Sequence, residues 1–512
     1  MEEHKLYKLM DVYPEDQYNK AFQCNSHPKE WINPRPAVSY NLVVIGGGTA
    51  GLVAAAAGAA LGAKAALVER QFMGGDCLYA GCVPSKALIR ASRAYAEVLR
   101  SYEFGIKGVH RAEIDFSSVM ERMRMLRSQI SLHDSAMRFS EIGVDVFFGH
   151  GRFVSKDRVE VEGSYLPFKK ALIATGARPS QLPVEGLAEA GYLTNETVFN
   201  LAHDAPDHLA VIGGGPIGCE LAQAFRRFGC KVTLFHNNPH ILDREDEDAA
   251  EIIRQAFLRE DIELVLQSEI KKVVREGHVK VIYYEKKGVM QSCSVNEILV
   301  AVGRRPNIEG LGLEAAGVEY DTGRGVLVND YLQTTNRNIF AAGDICMQYK
   351  FTHAADAAAR IVVQNALFYG RKRLSALTIP WCTYTDPEIA HVGIYERDAK
   401  AKGIKINTFI RQFRDVDRAV IDGQDEGFVK IHTKAGTDKI VGATIVASHA
   451  GDMISEITLS MVGNLGLELI STVIHPYPTQ AEAIRQTGDL FNRTRLTPFI
   501  KKIIERWFSW TR

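Results

Sequence analysis

A chain of 512 residues with 61 basic and 61 acidic side chains carries no global field that would favour nucleic acid. Its eight cysteines do not describe a disulfide-stapled secreted scaffold at this length and suit a reducing compartment. The length implies roughly two to four domains, each able to bury a sizeable core.

Residues 1 to about 38 read as a solvent-exposed N-terminal extension. They are polar, lack the apolar stretch of a secretory signal, and end in the Pro-rich Asn33-Pro34-Arg35-Pro36. Cys24, among polar neighbours, reads as an ordinary exposed thiol. The β-branched run Tyr40-Asn41-Leu42-Val43-Val44-Ile45 then predicts a strand. Gly46-Gly47-Gly48-Thr49-Ala50-Gly51 predicts a tight turn opening an Ala-rich helix, and Ala65-Ala66-Leu67-Val68 a second strand ending at Glu69. The apolar run from Leu42 to Val68 could span a bilayer on length alone, but its six glycines and Lys64 fit a buried strand–turn–helix better. In such a βαβ unit the glycines let a pyrophosphate approach the backbone, and the helix N-terminus meets its charge. The acidic residue takes ribose hydroxyls. Gly46, Gly48, Gly51 and Glu69 are therefore candidate nucleotide-binding residues.

Gly74-Gly75-Asp76-Cys77-Leu78-Tyr79-Ala80-Gly81-Cys82-Val83-Pro84-Ser85-Lys86 follows, just before a long helical pattern. Cys77 and Cys82 are close enough in the chain to form a disulfide. Thiols at a helix start feel the positive end of the dipole and the open N–H groups, which favours the thiolate. On spacing alone a redox pair and a stapling disulfide both fit. The flanking nucleotide signature favours the redox pair.

The glycine fingerprint returns at Leu209 to Gly218, with Gly213, Gly215 and Gly218 in the same pattern and the strand Lys231-Val232-Thr233-Leu234-Phe235 beyond it. Two dinucleotide sites in one chain imply two nucleotides. Strands running into glycine turns are predicted at Ala171 to Pro179, which holds Thr175 and Gly176, and at Ile298 to Asn307, which holds Gly303. Another, Thr335 to Asp344, ends in Gly-Asp and aims a carboxylate at a ligand hydroxyl.

Together these motifs resemble the two-dinucleotide-binding flavoprotein disulfide reductases, the family of glutathione reductase, lipoamide dehydrogenase and mercuric reductase, from about residue 40 to about 490. The resemblance implies an α/β chain with two Rossmann-like dinucleotide-binding domains plus a C-terminal α+β dimerisation domain. FAD would be bound by residues 39–184 and 310–375, and the nicotinamide nucleotide by 185–309. Residues 376–490 would form the interface of a homodimer, and 491–512 an amphipathic tail. The first fingerprint would hold FAD, assisted by Gly75, Thr175 and Gly176, and the second NADPH or NADH, assisted by Gly303. Cys82 would lie against the flavin and Cys77 would meet the substrate. Lys86 is similar to the family's lysine near the flavin N5, with Glu220 as its ion-pair partner. Asp344 would hold the ribityl chain, and Thr352-His353-Ala354 would open a helix near the flavin. Pro380 to Ala390 resembles the start of the interface domain.

Four departures shape the expected function. Where NAD-using relatives carry an acidic residue and NADP-using relatives arginines, this chain has His236-Asn237-Asn238. That leaves the coenzyme open with a lean to NADPH. In His475-Pro476-Tyr477-Pro478-Thr479-Gln480-Ala481-Glu482 the position of the family's catalytic histidine holds Tyr477, as in mercuric reductases. His475 could substitute only through an altered turn. The resemblance to mercuric reductases would imply a terminal vicinal cysteine pair that relays the metal ion. Here no cysteine follows Cys382 and no Cys-x-x-Cys metal-binding module lies in the N-terminal extension, so no metal-ligating residue is expected. Finally, Asp76 and Tyr79 replace the usual threonine and asparagine, and an acid beside Cys77 would raise that thiol's pKa if close.

The expected function is an NAD(P)H-dependent FAD reductase passing electrons through Cys77–Cys82 to a small-molecule or metal-ion acceptor, resembling mercuric reductase. The alternatives are a lipoamide- or glutathione-type reductase, a quinone-reducing diaphorase, and a redox-sensing flavoprotein without fast turnover. A cytoplasmic location is expected. At the tail, Thr497-Pro498 can start a helix on which Phe499, Ile500, Ile503, Ile504, Trp507, Phe508 and Trp510 recur at helical spacing. Packing on the protein's own body or its dimer partner is the first expectation, and peripheral membrane contact through 497–512 the second.

Overall fold

The computed structural model describes residues 10–108 and 112–512 of the chain, so the first nine residues of the extension lie outside the described residues. Two compact units divide it, residues 1–238 with 262–377 and residues 239–261 with 378–512.

The first unit contains two sheets in which the fingerprint strands pair in parallel. In one, Tyr40–Ile45 lies between Ala65–Glu69 and Ser164–Ile173, pairing in parallel with both. Val144–Phe148 extends the sheet beyond Ala65–Glu69, and Ile339–Ala341 pairs in parallel with Ser164–Ile173. Leu42, Val43 and Val44 are fully buried, as a strand covered on both faces requires. In the other sheet His208–Ile212 lies between Lys231–His236 and Glu297–Val300, with Glu263–Leu266 outside Lys231–His236. In each sheet the first strand of the glycine fingerprint is central, so its turn opens at the carboxyl end. That is where ligands of parallel sheets bind.

The Rossmann expectation for the two fingerprints therefore matches the topology. The expectation of a solvent-exposed extension does not hold for the described part. Gln17–Ser26 is a helix capped by Asp16, whose Oδ1 accepts from Asn19 N at 2.8 Å. Phe22 is fully buried against Phe72, with ring centroids 5.0 Å apart, and Leu78 joins the same cluster. Arg124 donates to Asp16 Oδ2 at 2.5 Å. One well-placed aromatic and Arg124 anchor a segment whose composition is polar. Cys24 is exposed, as expected.

The second unit is built on a five-stranded antiparallel sheet. Its strand order is Pro380–Thr383, Glu388–Gly393, Ile440–Ala447, Phe428–Lys434, Ile406–Gln412. Helices Ala450–Val462 and Glu482–Thr494 bury Ile454, Ile457, Ala483 and Ile484 in its core. Residues 239–261 belong here rather than with the second nucleotide sheet. Lys430 Nζ bridges Asp246 and Asp248 at 2.8 Å, and the Glu245 carboxylate accepts from Trp381 at 2.9 Å and from Tyr395. The division expected at 490 falls inside the Glu482–Thr494 helix. No helix among the described residues is long and apolar enough to cross a membrane.

Candidate active site

Cys82 is the first residue of the helix Cys82–Leu99, and Cys77 lies in the single turn Gly75–Tyr79 before it. Both are free thiols, and they share a hydrogen bond. Cys82 Sγ also stands 3.4 Å from Thr352 Oγ1, at the start of the helix Thr352–Leu367. The hydrogen bond from Cys77, with help from Thr352 and the Lys86 charge, pulls the Cys82 thiol down to about 6. The opposite half of the same bond, together with burial, pushes Cys77 well above the usual thiol range. One thiolate and one protonated thiol result, with the thiolate at the helix start.

The Asp76 carboxylate turns to Arg304, with which it forms a close ion pair, and the main causes of the Cys77 shift are the bond to Cys82 and burial. Burial pushes the Asp76 carboxyl up while Arg304 pulls it back. Arg304 also reaches Asp344, with Nε 3.6 Å from Oδ2, and so links the redox loop to the Gly-Asp turn. Asn195 donates to Ala80 O at 3.1 Å, and beside it burial and then Asp76 push the Glu196 carboxyl up to about 7. On the far side, Arg127 donates to Tyr79 O at 2.9 Å and to Asn19 Oδ1 at 2.6 Å, tying the N-terminal helix to the loop between the cysteines. Sequence reasoning missed Arg304, Arg127, Asn195 and Glu196. Only Arg304, in Gly303-Arg304-Arg305-Pro306-Asn307, sat in a segment already singled out.

Lys86 Nζ lies 2.8 Å from Glu220 Oε2, and Glu220 is buried on the helix Pro216–Arg227. A carboxylate so buried requires its cation, because removing either partner leaves an uncompensated charge. The pair expected from the resemblance is thus formed across 134 residues of chain.

The nucleotide cradles can be tested against the groups they are expected to hold. A Cβ on Gly51 would sit 1.8 Å from Gly46 O, and one on Gly218 would sit 1.9 Å from Gly213 O. Both helices therefore start against their turns with no room for a side chain, which leaves backbone N–H groups facing outward as a pyrophosphate needs. Gly75, at φ +60°, approaches Gly48 so closely that a Cβ would meet Gly48 Cα at 2.6 Å. Glu69 Oε2 accepts from Gly47 N at 2.5 Å, and a cleft beside it is lined by Arg70, Gly149, His150 and Thr175. These features fit an adenine dinucleotide. Thr175 and Gly176 are clasped by Asn307, which donates to Thr175 O at 2.9 Å and, through its backbone N–H, to Gly176 O at 3.0 Å. His353 stacks on Phe351, with ring centroids 5.4 Å apart. In the second cradle Gly215 caps the helix Pro216–Arg227, and His236 Nδ1 accepts from Gly214 N at 3.1 Å. Asn237 is exposed, and Gly303 turns at φ +116°.

In the second unit Tyr477 is 70% exposed and donates to Asp417 Oδ2 at 2.8 Å, which raises the pKa of its phenol. His475 does not turn outward beside it. Its Nε2 lies 3.0 Å from Glu456 Oε1 and its Nδ1 3.2 Å from Val473 O. Glu482 is engaged by Arg485 at 3.0 Å.

Residues 40–359 match the model of the pyridine nucleotide-disulphide oxidoreductases, and residues 379–487 that of their dimerisation domain. The chain belongs to the pyridine nucleotide-disulphide oxidoreductases. It is an oxidoreductase of a family that uses FAD and a nicotinamide coenzyme, and its C-terminal sheet is the family's homodimerisation domain. A mercuric reductase of Staphylococcus aureus is 34% identical over 89% of this chain and 83% of its own. A dihydrolipoyl dehydrogenase of Bacillus subtilis is 32% identical over 88% and 98%. Among solved structures, the Cu(II) complex of the HOCl-induced flavoprotein disulfide reductase RclA from Escherichia coli superposes with a TM-score of 0.78. It shares 25% identity over 87% of this chain and 98% of that one.

Proposed function

We propose that this protein is an NADPH-dependent FAD reductase that passes electrons through Cys77 and Cys82 to a soft metal ion. When bound, FAD supplies hydride acceptance from the nicotinamide and delivery of an electron pair to the cysteine pair. Cys82, held as the thiolate by Cys77, Thr352 and Lys86, is the sulfur on the flavin side. Cys77 keeps its proton and is the sulfur that meets the acceptor. Lys86 holds a positive charge beside the thiolate, and Glu220 fixes that lysine. The Cys82 thiolate, and Cys77 once its proton has passed to solvent, can bind a soft cation, which thiolates bind better than oxygen ligands do.

Tyr477 carries the choice of acceptor. A disulfide leaving group needs a proton donor tuned near neutrality, and a phenol whose pKa is raised further by Asp417 is poorly matched to that task. His475 is occupied with Glu456, which argues against its replacing Tyr477. A metal ion requires no leaving-group proton. The relatives named mercuric reductase support the same class. His236 supports NADPH, because a neutral ring replaces the carboxylate that would repel a 2′-phosphate.

Steady-state NADPH oxidation with Hg(II), oxidised lipoamide, glutathione disulfide and a soluble quinone tests this reading. Hg(II) should be turned over fastest. Tyr477→His should raise disulfide turnover by about 10²-fold, the usual scale of acid–base assistance. A disulfide preferred by the unaltered chain contradicts the metal reading. A single stoichiometric reduction without turnover of any acceptor favours the sensor.

A further inference from the structure

We propose that the C-terminal helix Pro498–Trp510 is a membrane-surface anchor that seats in anionic lipid. The helix is well defined at its start, with Thr497 Oγ1 accepting from Ile500 N at 3.3 Å and Pro498 in the first turn. None of its residues is buried, which overturns the expectation that it packs on the protein's own body. At 100° per residue, Phe499, Trp510, Ile503, Trp507, Ile500, Ile504 and Phe508 sweep one continuous half of the cylinder. Lys501, Glu505, Ser509, Lys502 and Arg506 fill the other half. Lys501 and Arg506 fall at the two seams, where long cationic side chains keep their heads in water while their stems lie along the apolar face. Trp507 and Trp510 meet edge to face at 5.7 Å, with Trp510 79% exposed. Such rings prefer the headgroup level of a bilayer.

Charge decides between a lipid surface and a second copy. Lys501, Lys502 and Arg506 oppose Glu505 alone, and none of the three forms an ion pair among the described residues. An anionic surface complements that excess, with each basic side chain adding attraction. The match to the family's dimerisation domain covers residues 379–487 and does not reach the helix. Thirteen residues span about 20 Å, short of a bilayer core, so the helix lies in the plane of the surface rather than across it.

The test sediments the flavin-loaded full chain with vesicles of phosphatidylcholine mixed with phosphatidylglycerol, and with vesicles of phosphatidylcholine alone. A full-length double variant, Ile503→Glu with Trp507→Glu, is compared at exposed positions where folding is not at stake. The unaltered chain should bind the anionic vesicles, and at least about tenfold less well the neutral ones. The variant should stay in the supernatant while keeping its dimer mass by light scattering and its rate of flavin reduction by NADPH. Equal partitioning of both proteins, no binding by either, or a variant that becomes monomeric overturns the anchor. The last outcome assigns the helix to the dimer instead.

Discussion

The two nucleotide cradles share one backbone and differ in one acceptor. At Gly46–Gly51 and again at Gly213–Gly218 a glycine helix start presses on the carbonyl of the first glycine, at 1.8 and 1.9 Å for a hypothetical Cβ. In both, the residue ending the second strand reaches back to the N–H of the middle glycine. In the first cradle that residue is Glu69, at 2.5 Å, and in the second it is His236, at 3.1 Å. The turn is thus braced by a carboxylate in one cradle and by an imidazole in the other, and on the proposed reading the charge offered to a ribose beside it differs by one unit. On that reading, bracing and coenzyme choice fall to the same position.

The strongest way to break the comparison is to fill each helix start in turn. Gly51→Val should give a chain without flavin, seen as the absence of the yellow absorbance after purification. Gly218→Val should stay yellow, be reduced by dithionite, and fail with NADPH. Loss of flavin from both variants would mean that the cradles are not independent. A smaller effect sharpens the contrast in charge. His236→Glu should lower kcat/KM for NADPH by about 10²-fold, since a like charge opposite a phosphate costs several kcal/mol, and should leave NADH the better coenzyme. No change in the NADPH-to-NADH ratio would remove His236 from coenzyme choice. Smaller again, Glu69→Gln should keep the brace but lose its charge. A hydrogen bond to a charged group contributes about 1.5–3 kcal/mol against about 0.5–1.5 kcal/mol for a neutral one, so FAD affinity should fall by roughly tenfold in an equilibrium dialysis measurement.

Much of this was legible in the chain because it is local. Strand, glycine turn, helix and second strand lie within some thirty residues in each cradle, and their spacing alone fixes the topology. The Lys86–Glu220 pair was reachable only through the family resemblance, since its partners are far apart in sequence. The N-terminal helix was hidden because its docking depends on Phe22 and Asn19 finding Phe72 and Arg127, and no periodic pattern marks them. Asp76 is a related case. Its neighbour in sequence is Cys77, but its neighbour in charge is Arg304, brought in from 228 residues away. Tyr477 was visible as a substitution, yet its bond to Asp417 was not.

The central claim is that Cys82 is the flavin-side thiolate and Cys77 the exchanging thiol. Anaerobic reduction by one equivalent of NADPH, followed by absorbance as pH is varied, tests it directly. The pKa of Cys82 is lowered, so its thiolate persists at neutral pH and takes up a proton as pH falls through about 6. The long-wavelength charge-transfer band of the reduced protein should follow that titration. Cys82→Ser should abolish the band at every pH, whereas Cys77→Ser should show it without any reduction. Spectra of the two variants that match the unaltered protein would make these cysteines structural and contradict the account.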